Sequence, residues 1–166
     1  MILLADKINA LLQRKIVFYK ELADCLEKEK ICLSSNDINP LWKISEEKHF
    51  FVSQIESLRL QILSSMTGEG IEHNTTVASF SASKVISLIE WEDPSQVENI
   101  VFTINSLKLE IQHKVRENIA FVEECLSVIE EIMSIITRAK RSGIVYGSDL
   151  YPKENANLNL VFHEEV

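Results

Sequence analysis

Apolar residues in the first part of the chain return at alternating intervals of three and four. Leu4, Ile8, Leu11, Leu12, Phe18, Tyr19, Leu22, Cys25, Leu26 and Cys32 form one stripe. That spacing predicts a long amphipathic helix over roughly Leu3–Ser34. Ser-Ser-Asn-Asp at 34–37 interrupts it. A second stripe, Leu41, Ile44, Phe51, Ile55, Leu58 and Ile62, predicts a second helix. Asp37 or Asn39 is the expected N-cap, Pro40 fits the first turn, and the helix is expected to end before Thr-Gly-Glu-Gly at 67–70. Thr67–Ser79 is polar and reads as a loop, and Phe80–Ile89 as a short helix.

The last helix carries the clearest pattern. Asp93 is a good N-cap, Pro94 falls at N1, and Gln96 stands where a capping box wants it. From Val97 to Ala139 the steps of four and three continue without a stutter through Val101, Ile104, Lys108, Ile111, Val115, Asn118, Val122, Cys125, Ile129, Ile132 and Ile136. Only Lys108 and Asn118 are polar. This is coiled-coil periodicity, and a helix reaching about Ser142 would span on the order of 70 Å. Arg138, Lys140 and Arg141 suit its C-terminal dipole, and Gly143 suits the C′ position. The remainder has no helical period. Asn-Leu-Asn-Leu-Val-Phe-His at 157–163 alternates like a strand but has nothing local to pair with. The expected fold is all-α: an antiparallel helical bundle of three long helices plus one short helix, with coiled-coil-like packing. The expected domains are a bundle over 1–142 and a flexible C-terminal tail over 143–166.

Composition narrows the function. The 166 residues suit one domain, and 46 % are apolar, enough for a sizeable core. A net charge of −8 argues against nucleic acid and anionic membranes as partners. The start of the chain lacks the basic and apolar order of a signal peptide, and no uncharged apolar stretch is long enough to span a membrane. Three cysteines, Cys25, Cys32 and Cys125, without CxxC spacing fit a reducing cytoplasm.

Two Glu-x-x-His pairs, Glu46/His49 and Glu110/His113, raise the possibility of a di-iron bundle. Such ligands must face the core. With Ile44 at zero on the wheel, His49 falls near about 140° and Glu46 near about 200°. With Ile111 at zero, Glu110 and His113 lie about 100° and about 160° away. Both pairs therefore read as surface residues, and no metal or cofactor is expected. His73 and His163 sit in the loop and the tail. Cys25 and Cys32 read as small core hydrophobes. No phosphate loop, nucleophile elbow or dinucleotide fingerprint is present, so no enzyme is expected. Asn118 reads as a stripe-edge residue bonded to a neighbouring helix, with a register-setting asparagine as the alternative.

Specific residues bring a family into view. The first two helices read Tyr19-x-x-Leu22-x-x-x-Leu26-x-x-Glu29-Lys30-x-x-Leu33, Asp37, Leu41-x-x-Ile44-x-x-x-Lys48 and Leu58-Arg59. The long helix has Val115-x-x-Asn118, and Tyr146-Gly147-Ser148-Asp149 follows it. Over roughly residues 8–150 this resembles a flagellar export chaperone of the FlgN type. It departs from the family at Leu150, where glycine usually follows the aspartate, and at 157–163. The resemblance implies a cytoplasmic, non-enzymatic protein of type III flagellar secretion. Such a protein binds C-terminal helical segments of hook-filament junction (hook-associated) proteins, prevents their premature assembly and delivers them to the export gate. Under that reading Ile129, Ile132, Ile135, Ile136 and Ala139 are the expected client contacts, unless they pack on the first two helices. Ile144, Val145 and Tyr146 exceed what a helix cap needs and are the expected export-gate contact. A self-associating coiled-coil adaptor is the alternative, and a metal-binding four-helix bundle a more distant one.

Overall fold

A computed structural model describes residues 2–72 and 75–141. Its elements are α1 (Ile2–Ser34), α2 (Leu41–Gly68), α3 (Ala82–Ser87) and α4 (Pro94–Arg141). The chain divides into two units at Leu126/Ser127, so α4 contributes its first part to one and its remainder to the other.

Each predicted helix is present, and local chemistry explains its ends. Asn36 adopts φ 56° after α1, while Asp37 N–H donates to the Cys32 carbonyl at 3.0 Å and Asn36 N–H to that of Leu33 at 3.3 Å. These two bonds are a Schellman stop, and asparagine tolerates the left-handed conformation. The same device closes α2. Gly70 takes φ 73°, its N–H donates to the Thr67 carbonyl at 3.0 Å, and Ile71 N–H donates to Met66 at 3.0 Å. Ile71 also packs on the core beside buried Met66, as the motif favours. Gly68 stays helical, so α2 continues through Thr67 and Gly68, past its expected end before Thr67.

The start of α2 also differs from expectation. Pro40, with φ −76°, occupies the capping position, and no side chain caps the helix. The Asp37 carboxylate instead accepts the Asn39 N–H at 3.3 Å. At α4, Asp93 caps as expected: its Oδ1 accepts the N–H groups of Ser95 at 3.0 Å and Gln96 at 3.3 Å.

Pairings across the helices fix their directions in the first unit. Glu29 meets Lys48, Cys25 meets Glu47, and Tyr19 meets Arg59, so partners move oppositely along the chain and α1 and α2 are antiparallel. Glu27 meets Lys114 and Lys30 meets Glu117, so α4 runs the same way as α1. The connection through α3 makes that return possible. One core joins all four helices: Ile8, Leu12 and Ile16 from α1, Leu58 and Ile62 from α2, Val85 from α3, and Ile100 and Ile104 from α4. Lys15 lies inside it, fully buried.

Candidate functional site: an apolar groove in the bundle

The α4 stripe is uniform in sequence but not in burial. Val97, Ile100 and Ile104 are buried, and Val101, Leu107 and Ile111 are partly so. From Ile119 onward the apolar side chains of the first unit are exposed, among them Phe121, Val122 and Leu126. Between these two stretches Asn118 is buried, only 5 % exposed.

Asn118 sits in the wall of a groove of about 500 Å³ formed by the end of α1, the start of α2 and the middle of α4. Leu26, Leu33, Leu41, Val115, Ile119 and Val122 supply its apolar lining. The Asn118 amide donates to the Leu26 carbonyl at 3.0 Å and to Glu29 Oε2 at 2.9 Å. Two acceptors on one side fix the amide orientation, because only the NH₂ end can serve both. Its Oδ1 is left buried without a protein partner. Glu29 also pairs with Lys48 at the groove edge. Lys30–Glu117 at 3.2 Å and Lys114–Glu27 at 2.6 Å hold α1 and α4 together nearby. That last bond raises the Lys114 pKa and lowers that of Glu27. The expectation that Asn118 bonds a neighbouring helix is met, and the bond lies within one chain.

The groove also gathers residues that are scattered in sequence. Leu26, Glu29, Leu33, Leu41, Lys48, Val115 and Asn118 all line it, and all belong to the pattern that carried the family resemblance. Helical periodicity alone assigns most of them to ordinary packing.

In the second unit Ile129, Ile132, Ile135 and Ile136 lie on α4, between 45 % and 60 % exposed. Ala139 is helical, but its side chain lies outside the described residues, as do Ile144, Val145 and Tyr146.

The other candidate chemistry is placed as follows. His49 and Glu46 are both exposed. His113 is exposed and its ring lies 3.4 Å from Glu117, while Glu110 lies 3.8 Å from Lys114. Among the described residues, no three His, Cys, Asp or Glu side chains are grouped to hold a metal. Cys25 is buried and donates its thiol to Glu47 at 3.6 Å, Cys32 is half-buried and Cys125 is exposed. Burial, and then the Glu47 charge, push the Cys25 thiol pKa up. His73 and His163 lie outside the described residues. No described helix is long and apolar enough to cross a membrane.

These features define a class: a helical bundle presenting an apolar groove, suited to recognising another apolar surface. The family model described as FlgN protein matches residues 1–150. The chain therefore belongs to the FlgN family, a family of flagellar export chaperones rather than of enzymes. No curated protein and no solved structure matches it.

Proposed function

We propose that this protein is a cytoplasmic chaperone for hook-filament junction proteins: it binds their C-terminal helical segments, prevents premature assembly and delivers them to the flagellar export gate. The observation that carries this reading is the groove, where the residues of the family pattern converge on one apolar surface. An amphipathic client helix suits such a groove, its apolar face replacing water along the aliphatic lining. Ile129, Ile132, Ile135, Ile136 and Ala139 extend the client surface on α4, and Ile144, Val145 and Tyr146 form the contact with the export gate. The test uses purified hook-filament junction proteins in full-length and C-terminally truncated forms. The full-length clients bind and the truncated ones do not. Equal binding of both forms, or of neither, rejects the reading.

The exposed isoleucines of the second unit also suit a self-associating coiled-coil adaptor. Sedimentation decides between the two, because an adaptor must be a stable oligomer without any client.

A further inference from the structure

Lys15 is a buried lysine without a carboxylate partner. Its Nζ makes no hydrogen bond to the protein and lies 3.9 Å from the centre of the Phe80 ring and 5.7 Å from that of Tyr19. The charged groups that face it are Arg59 from α2 and Lys108 from α4. Arg59 donates weakly to the Tyr19 hydroxyl at 3.5 Å, and its Nε is buried without a partner. Elsewhere in the unit lysines meet acids, as in Lys48–Glu29, Lys30–Glu117 and Lys114–Glu27. Lys15 instead faces two aromatic rings, with Arg59 and Lys108 as its charged neighbours.

Two effects oppose each other there. Ring faces attract an ammonium. Burial and two neighbouring cations disfavour it. Burial first, then Arg59 and Lys108, bring the Lys15 pKa down from 10.5 to about 7. The wall around Lys15 with the least support of its own is the connection bearing Phe80. It leads into α3, a six-residue helix far too short to persist without tertiary contacts. Phe80, Ala82, Val85 and Ile89 are its buried anchors.

We infer that Lys15 is a proton-operated latch on the segment Phe80–Ile89. Protonation of its amine loosens this segment from α1, and loss of the proton seats it. The direction follows from linkage. Between about pH 7 and 10.5 the unfolded lysine holds its proton while the buried amine has released it, so stability rises with pH across that window. Below about 7 both forms are charged, and the penalty of burying the cation is fully present.

The test uses the full chain. With ¹³C-labelled lysine, the Lys15 side-chain resonance is expected to titrate near neutrality, and Lys108→Gln is expected to raise that midpoint by removing a like charge. Hydrogen exchange, corrected for its intrinsic pH dependence, is expected to show residues 80–89 at least about tenfold better protected at pH 8.5 than at pH 6. Lys15→Met is expected to abolish that difference and keep the segment protected at both. A Lys15 midpoint near that of a free lysine overturns the inference. So does unchanged protection of the segment between the two pH values, or an equal change in Lys15→Met. Should Lys15→Met not fold, the titration and the wild-type exchange still decide.

Discussion

Asn118 on α4 donates its side-chain amide to the main-chain carbonyl of Leu26 on α1 at 3.0 Å, locking the register of two parallel helices within one chain. The same amide meets Glu29 at 2.9 Å. Replacing it by leucine removes a neutral bond of about 1 kcal/mol and a charge-assisted one of about 1.5–3 kcal/mol. It also removes the buried, unpartnered Oδ1, which returns about 1–3 kcal/mol. Asn118→Leu is therefore expected to lower stability by only about 1–2 kcal/mol in urea unfolding. Asn118→Asp sets a carboxylate against Glu29 and should cost more. Neither change should alter the oligomeric state, because the bonds are intramolecular. A dissociating oligomer in Asn118→Leu would restore the register-setting role between chains.

The groove separates stability from binding. Ile119 is about half exposed, so Ile119→Asp should change folding stability by no more than about 0.5 kcal/mol. The same change puts a charge into an apolar lining and is expected to weaken client binding at least about tenfold. Titration calorimetry with a purified client, beside a thermal melt, checks both halves. Unchanged affinity would move the client site off this groove.

How much of this was legible in the sequence depends on what the signal was. The four helices and the Asp93 cap follow from apolar spacing and from side chains acting within a few residues. The end of α2 lies at Gly68 and not before Thr67, because Gly68 marks a break only if it leaves the helix, and Gly70 is the residue that adopts positive φ. The burial of α4 was not legible. Its four-three repeat is as regular at Ile129 as at Ile104, but only Ile104 meets neighbours that cover it. Lys15 left a trace that the pattern did not use: it stands four residues after Leu11 and seven before Leu22, on the apolar face. A lysine there reads as a side chain reaching for water until the rings that enclose it are known.

Asp93 makes the start of α4 sensitive to acid. Its bonds to Ser95, and then to the Gln96 N–H, hold its pKa below 3.8. A carboxylate that ionises more readily when folded stabilises the protein above its unfolded pKa. That contribution fades as pH falls through the folded value. Asp93→Ala should lower the melting temperature at neutral pH and flatten its fall in the acid limb below about pH 4. Melts of both proteins from pH 7 to pH 2.5 check this, and parallel acid limbs would remove Asp93 from the cause.

The three thiols should react in a fixed order. Cys125 is exposed, Cys32 half-buried and Cys25 buried. Cys25 also has a raised pKa, because burial and Glu47 both oppose the thiolate, the form that attacks. Under native conditions iodoacetamide should alkylate Cys125 first and Cys25 last, with Cys25 labelling tracking unfolding in urea. Timed mass spectrometry reads the order. Early labelling of Cys25 would mean that the contact between α1 and α2 opens readily.

Tyr146 offers a test of delivery apart from binding. Gly143 is the expected C′ residue of α4, and a helix stop needs at most one apolar residue beyond it. Ile144, Val145 and Tyr146 are consecutive in the sequence, and capping does not require all of them. If these residues contact the export gate, Tyr146→Ala should leave the melting temperature and client affinity unchanged while secretion of the client falls severalfold. Secretion, measured as client in the medium against client in the cell, is the readout that a purely structural role would move only together with stability. A lower melting temperature with unchanged secretion per folded molecule would make the tyrosine a packing residue. Loss of client affinity would place it in the client site instead.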